Sequence, residues 1–71
     1  MSQLQSQFAR RLKALRIQKQ LTQAELAEMT GRSTSFISSL ERGIDAPSFT
    51  TLERIAQALD VLVRDLFDFE G

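Results

Sequence analysis

Residues 21–43 read LTQAELAEMTGRSTSFISSLERG and predict two short helices joined by a tight turn. Thr22 precedes an apolar-periodic run and is followed three residues later by a glutamate, the capping-box spacing that begins a helix. Gly31 is expected to end that helix, because glycine takes the left-handed conformation of a sharp turn without steric penalty. Ser33 is then expected to cap the second helix and Gly43 to end it.

The second predicted helix has an apolar and a polar side when its residues are placed about 100° apart. Ile37 and Leu40 lie on the apolar side, with Phe36 beside them. The opposite side carries only small or polar side chains: Thr34, Ser35, Ser38, Ser39 and Arg42. Such a face can approach the floor of a DNA major groove closely, although an ordinary solvated helix face has the same pattern. The residues alone leave both interpretations open.

With its flanks, this segment resembles the helix-turn-helix of Cro/repressor-type (Xre-like) transcription factors. The residues at the key positions of that motif are Gln23, Ala27, Gly31, Ile37 and Leu40. The flanking strings LTQAELAE, SFISSLERG and APSFTTLERIAQAL are also similar to that family, and the likeness covers roughly residues 8–67. It implies an all-α, compact five-helix bundle of the lambda-repressor-like DNA-binding type. The motif would span residues 23–42, with a recognition helix at about 33–42.

The composition of the chain excludes several kinds of functional site. Seventy-one residues predict a single domain over 1–71. The absence of cysteine and histidine excludes disulfides and thiolate or imidazole metal sites, and no cofactor is expected. No apolar run approaches the ~18 residues of a membrane span and no signal peptide opens the chain, so we expect a soluble, cytoplasmic, nucleoid-associated protein. An enzyme is not expected, since the serines cluster on one helix without a base.

The charges are unevenly distributed along the chain. The net charge is zero, but the first 45 residues carry +3 and the remaining residues −3. A neutral total can therefore hide a basic face, and the local field matters more than the net charge when a protein binds a polyanion.

The first and fourth helices are predicted from their apolar periodicity. Ser6 is expected to cap a first helix whose buried stripe is Phe8, Leu12 and Leu15. Ser48 is expected to cap a fourth helix with the stripe Phe49, Leu52, Ile55, Ala56 and Leu59. Asp60 stands where a glycine usually ends this helix, and residues 18–20 lack the glycine that relatives carry. A short fifth helix is expected to bury Val63, Leu66 and Phe67.

The resemblance also implies roles for individual residues. Arg16 and Glu41 would form a structural ion pair that ties the first helix to the third. Gln23 would contact the DNA backbone, Arg42 would reach phosphate, and Thr22 would be a cap before it is a DNA contact. Arg32 stands where relatives bury an aliphatic residue, so its stem is expected along the core with the guanidinium free for phosphate.

The base-reading positions hold Thr34, Ser35, Ser38 and Ser39, whose hydroxyls discriminate bases weakly, so DNA shape and water are expected to contribute to specificity. Phe36 is expected to pack partly in the core, in preference to a contact with a thymine methyl group. Thr50 and Thr51 are further candidates at the start of the fourth helix. The expected DNA-contacting set is Thr22, Gln23, Arg32, Ser33, Thr34, Ser35, Phe36, Ser38, Ser39, Arg42 and Ser48.

The end of the chain predicts self-association. Leu62 stands where relatives often have a polar cap, and this segment is more apolar than one short helix needs for one core. A homodimer interface is expected at Val61, Leu62, Leu66 and Phe69.

These observations predict a dimeric, sequence-specific transcriptional regulator that binds an inverted repeat in double-stranded DNA, with no membrane or small-molecule partner. Because the sequence ends where many relatives carry a sensor domain, no ligand sensor is expected. A phage-type repressor, a restriction–modification controller and an antitoxin-like autoregulator all fit. The alternative is a small helical protein-interaction module, antitoxin-like, with little direct DNA readout.

Overall fold

Four α-helices and a short 3₁₀ helix make up the chain in the computed structural model, which describes residues 2–70. They are α1 (Gln3–Gln18), α2 (Gln23–Thr30), α3 (Thr34–Glu41), α4 (Phe49–Leu59) and the 3₁₀ helix (Val63–Phe67). The all-α prediction is confirmed, since no strand occurs among residues 2–70. Met1 and Gly71, which the single-domain prediction includes, lie outside the described residues.

The core contains residues from all five elements. The predicted stripe of Phe8, Leu12 and Leu15 is buried in α1, as are Ile37 and Leu40 in α3. The full core cluster is Phe8, Leu12, Leu15, Leu26, Ala27, Ile37, Leu40, Leu52, Ile55, Ala56, Leu59 and Leu66. α3 packs against α1 and α2, and α4 packs against α2, so the two motif helices are held from both sides.

α1 begins earlier than predicted. Its cap is Ser2, whose hydroxyl accepts a hydrogen bond from the backbone N–H of Gln5 at 3.0 Å, so the assignment of the cap to Ser6 is wrong. The added turn consists of good helix formers, which continue the helix to the first available cap. Gln5 then donates its side-chain N–H to the carbonyl of Gly43 at 2.8 Å, and this bond fastens the end of α3 to α1.

Phe49 is the main error in the predicted core. It is 85% exposed, whereas the rest of the α4 stripe is buried. Phe49 is the first residue of α4 and directly follows the cap, Ser48. Thr51 is buried instead, and its hydroxyl accepts a hydrogen bond from Ser48 Oγ at 3.0 Å, which lowers the cost of burying this polar group.

The fifth predicted helix is a 3₁₀ helix of five residues. Leu62 precedes it and has no side-chain oxygen to act as a cap. The carboxylate of Asp65 accepts a hydrogen bond from the backbone N–H of Leu62 at 2.9 Å. Leu66 is fully buried as predicted, but Val63 is 38% and Phe67 36% exposed, so the predicted burial of these two is wrong. Runs this short are typical of 3₁₀ geometry, in which side chains at i and i+3 eclipse and present a narrower face than in an α-helix.

Two turns place a side chain in the left-handed backbone region. Gln20 has φ 61° in the turn between α1 and α2. In this turn the sequence lacks the glycine that the family resemblance leads one to expect. Asp60 has φ 56° and ψ 47° at the end of α4, as predicted for the residue in the stop position. The two helices therefore end without glycine, at a conformational cost that Asp bears more easily than Gln.

Candidate nucleic-acid interface

The turn between α2 and α3 is built as the sequence predicts. Thr22 and Glu25 form a complete capping box at the start of α2. Gly31 ends α2 with φ 68° and ψ 27°, and the next backbone N–H, of Arg32, donates to the carbonyl of Ala27 at 2.9 Å. Ser33 then caps α3 by accepting a hydrogen bond from the backbone N–H of Phe36 at 3.1 Å. These local bonds fix where α3 begins.

The outer face of α3 consists of small side chains with hydroxyl groups. Thr34 and Ser35 are exposed, while Ser38 and Ser39 are half-buried. Their short side chains leave the helix backbone close to the surface. A surface such as the floor of a DNA major groove can therefore approach α3 closely, and the hydroxyls can donate or accept hydrogen bonds.

The opposite side of α3 is fastened by a buried ion pair. Arg16 Nε and Nη2 donate to the two carboxylate oxygens of Glu41, at 2.6 and 3.0 Å. Arg16 Nη1 also donates to the carbonyl of Leu21 at 2.7 Å. The Arg16 side chain is 11% exposed and the Glu41 side chain 2%, so the pair lies almost completely out of water. The expected link between α1 and α3 is therefore present, in a bidentate form that also fixes their relative orientation.

The hydrogen bonds that Arg16 donates to Glu41 raise the pKa of Arg16 above its ordinary value; burial lowers this pKa and the carboxylate charge raises it. Stability that comes from a raised pKa is complete at lower pH and is lost only as the pH rises through the folded-state pKa. Arg16 therefore stays charged, and the pair stays formed from the arginine side, throughout the neutral and mildly alkaline range.

Gln23 belongs to the same network, which the sequence did not predict. Its side-chain Nε2 donates to Glu41 Oε1 at 3.1 Å, so Glu41 joins α1, α2 and α3. An amide nitrogen has two N–H groups, and one is used here. The family resemblance predicts that Gln23 contacts phosphate. The donors that remain for this contact are the second side-chain N–H of Gln23 and the first backbone N–H groups of α2, which have no partner within the helix. The Thr22 hydroxyl is occupied as a cap.

Two arginines stand at the ends of the α3 face. The guanidinium carbon of Arg32 lies 4.1 Å from the centroid of the Phe36 ring, and Arg32 is exposed while Phe36 is half-buried against the core. Arg42 is exposed at the other end, where its Nε lies 3.4 Å from the carbonyl of Ser38. Phe36 is therefore partly core, as expected, and its ring also carries the Arg32 guanidinium, which the sequence did not indicate.

The start of α4 has fewer hydroxyl groups available for a DNA contact than the sequence predicts. Ser48 is exposed, but its hydroxyl accepts a hydrogen bond from the backbone N–H of Thr51 at 3.1 Å and so serves as the cap. Thr51 is buried, which leaves Thr50 as the exposed hydroxyl beside it. Phe49, placed in the core by its periodicity, stands exposed between them.

The residues of the predicted dimer surface do not form one patch in the structure. Leu62 is 55% exposed and lines a shallow depression beside α4 with Val61, Glu53 and Asp60. Leu66 is fully buried in the monomer, so its assignment to a dimer interface is wrong.

Phe69 lies beside α1 instead, in a depression shared with Gln7, Arg10 and Arg11. Its ring meets Phe67 edge-on at 6.3 Å, and Phe67 stacks on Phe8 at 5.5 Å. Phe69 is 37% exposed and packs within the monomer, so Leu62, at 55%, is the most exposed member of the predicted interface.

Residues 12–66 match the HTH_3 family, whose description is helix-turn-helix. The chain belongs to the HTH_3 family. This membership confirms the Cro/repressor-type resemblance seen in the sequence. The family is one of DNA-binding transcriptional regulators rather than enzymes, as the names of the relatives indicate.

Curated relatives with similar sequences include a phage repressor and a bacterial regulator. It is 43% identical over 53 residues to the immunity repressor protein of Bacillus phage phi105, covering 75% of this chain and 37% of that protein. It is 40% identical over 62 residues to the HTH-type transcriptional regulator SinR of Bacillus subtilis, covering 86% of this chain and 56% of SinR. The chain thus spans only part of the length of these relatives.

The crystal structure of the restriction-modification controller protein C.AhdI from Aeromonas hydrophila matches with a TM-score of 0.85 and 37% identity, covering 87% of this chain and 94% of that chain. In residues 2–70, no helix is long and apolar enough to cross a membrane, and no group of acidic, His or Cys side chains has the arrangement of a metal site.

Proposed function

We propose that this protein is a sequence-specific, DNA-binding transcriptional regulator that acts as a dimer on an inverted-repeat operator. Residues 33–42 form the recognition helix and enter the major groove. The observation that carries the proposal is the outer face of α3, where four small hydroxyl side chains lie between two exposed arginines. The buried Glu41 network holds this face in a fixed direction relative to α1 and α2.

The contacts divide into positioning and reading roles. Arg42, the second N–H of Gln23 and the start of α2 bind phosphate and fix the register on the duplex. The reading positions are Thr34, Ser35, Ser38 and Ser39. Since hydroxyl groups donate to or accept from several bases, ordered water and DNA shape contribute to the preference.

A single recognition helix covers only a few base pairs, which is why proteins of this kind bind as two-fold dimers on palindromic sites. The exposed apolar side chain of Leu62, with Val61 beside it, is the surface on which two copies join in this proposal. Burial of apolar area there contributes about 25 cal/mol per Å2.

The names of the relatives support this function. One is an immunity repressor of a phage and another a restriction-modification controller, and both settings were expected from the sequence. An antitoxin-like autoregulator fits the same surface. The protein would act in the cytoplasm with the nucleoid, and the proposal requires no cofactor and no small-molecule ligand.

The decisive experiment is an anisotropy titration of the purified protein against a random duplex at several salt concentrations, followed by selection of bound sites from a random pool. We expect affinity that falls steeply with salt and a recovered inverted repeat. If no duplex binds at low salt, the proposal is wrong and the helical protein-interaction module becomes the better explanation of the exposed faces.

A further inference from the structure

Arg32 and Phe36 form a stacked pair at the N-terminal end of the α3 face. The guanidinium carbon of Arg32 lies 4.1 Å from the ring centroid of Phe36. The Phe36 ring is half-buried and packs on the core, so it cannot turn freely. A guanidinium that lies over an aromatic ring favours stacking on the ring face, which would set its plane, and the exposure of Arg32 leaves N–H groups accessible.

The fixed plane has a consequence for what Arg32 can recognise. A phosphate contact is dominated by charge and carries no base information, so it needs little control of the guanidinium plane. A bidentate contact with the O6 and N7 atoms of guanine requires that plane to be set, and it is the commonest specific contact in the major groove. Arg42, at the other end of α3, is exposed, and its Nε lies 3.4 Å from the carbonyl of Ser38, a position that suits a phosphate contact.

The position of Arg32 also favours a base. It directly precedes Ser33, the cap of α3, and the N-terminal residues of a recognition helix are those that contact base edges. Between Arg32 and Arg42, the face of α3 carries only hydroxyl groups, which cannot make a bidentate contact with guanine. Arg32 is therefore the side chain near this end with the geometry for strong discrimination.

Resting on the DNA-binding function proposed above, we infer that Arg32 reads one guanine in each half-site through O6 and N7. Phe36 is a positioning residue that sets the plane of the guanidinium. The hydroxyl face of α3 then contributes close approach and weaker preferences around this one strong contact.

The test starts from the site that the wild-type protein selects. Each guanine of the half-site is replaced in turn by 7-deazaguanine, which lacks the N7 acceptor but still pairs with cytosine. We expect one replacement to weaken wild-type binding about tenfold. For Arg32→Ala, the same replacement should have no further effect, because the group that uses N7 is gone.

Phe36 is tested with two variants that keep its contact with the core. Phe36→Leu removes the ring, and Phe36→Tyr keeps it. We expect the leucine variant to lose most of its sensitivity to 7-deazaguanine, whereas its affinity for random duplex should fall by a smaller factor. The tyrosine variant should regain the sensitivity. A role in folding alone would change binding to both duplexes, and circular dichroism of each variant checks that the helices remain.

Three outcomes would overturn the inference. In the first, Arg32→Ala weakens all duplexes equally and lowers the salt slope by about one unit, so that Arg32 contacts phosphate. In the second, the selected half-site contains no guanine whose N7 matters. In the third, Phe36→Leu keeps the full sensitivity, and Phe36 has no positioning role. Each leaves wild-type DNA binding intact, whereas failure of the proposed function would show as no binding by the wild type.

Discussion

Glu41 is the residue on which the direction of α3 depends. Its carboxylate accepts two hydrogen bonds from Arg16 of α1 and one from Gln23 of α2. A buried carboxylate is costly unless its oxygens are paired, and among residues 2–70 no buried side-chain polar atom lacks a partner. The network therefore makes one arrangement of the three helices much more favourable than others.

Removal of one partner should expose this dependence. Arg16→Ala leaves Glu41 buried without its partner, and we expect the free energy of unfolding to fall by about 3 kcal/mol or more. That loss is a large part of the stability of a small domain. Urea unfolding followed by circular dichroism measures it, with Arg10→Ala, an exposed arginine on the same helix, as the matched control. Equal midpoints for the two variants would mean that the pair contributes no more than a surface contact.

The sequence predicted part of this network. Arg16 and Glu41 were expected as a pair through the family resemblance, since 25 residues separate them and no local pattern joins them. The third member, Gln23, was expected on the DNA backbone. Whether its amide points outward or inward depends on the packing of α2 against α3, which spacing along the chain does not contain.

At the scale of the elements, the turn between α1 and α2 contains strain that can be removed. Gln20 has φ 61° and an exposed side chain, and a side chain in this region costs about 1–2 kcal/mol. Gln20→Gly removes that cost but adds about 0.4–1 kcal/mol of freedom to the unfolded chain. We expect a net gain in unfolding free energy of about 0.5–1 kcal/mol.

Asp60→Gly is the matched control, since Asp60 has φ 56° but tolerates it better. Its unfolding free energy should change by less than about half a kcal/mol. Denaturant midpoints measured in parallel decide the matter. A loss of stability in Gln20→Gly would show that the side chain, rather than the backbone conformation, matters in this turn.

The α3 face predicts two different effects on DNA binding. Ser38→Ala keeps the helix, because alanine is the better helix former, but it removes a hydroxyl from the proposed reading face. It should weaken the preferred site and leave random duplex unchanged. Arg42→Ala should weaken both and lower the salt slope by about one unit. Competition between the two duplexes at two salt concentrations measures both effects. An unchanged preference in Ser38→Ala would assign the specificity to DNA shape.

Helix boundaries were predictable where the signals are local. The capping box at Thr22, the turn at Gly31 and the caps Ser33 and Ser48 were all read from the sequence and are all present. The exposure of Phe49 was not predicted, because periodicity gives the direction of a side chain but not the extent of the neighbouring helices that could cover it. The last element became a 3₁₀ helix for a similar reason: its length, and not its apolar pattern, sets its geometry.

The dimensions of the whole molecule explain why a dimer is proposed. The principal-axis extents of the domain are 27 × 22 × 21 Å. The recognition helices of a two-fold helix-turn-helix dimer lie about 34–36 Å apart, one turn of DNA. One copy is too small to reach two successive major grooves, so an inverted repeat requires two. The sequence placed the joining surface at Val61, Leu62, Leu66 and Phe69, but the path of the chain separates Leu62 from Phe69 and buries Leu66.

Leu62→Glu tests the surface that remains. Leu62 is 55% exposed, so the change leaves the core intact, but it would bring two new carboxylates together across the two-fold axis, near Glu53 and Asp60. We expect a folded monomer that has lost most of its affinity for the inverted repeat and retains its weak binding to a single half-site. Leu4→Glu, at an equally exposed leucine of α1, should remain a dimer. Sedimentation equilibrium at micromolar concentration compares the two variants, and a dimeric Leu62→Glu would place the interface elsewhere.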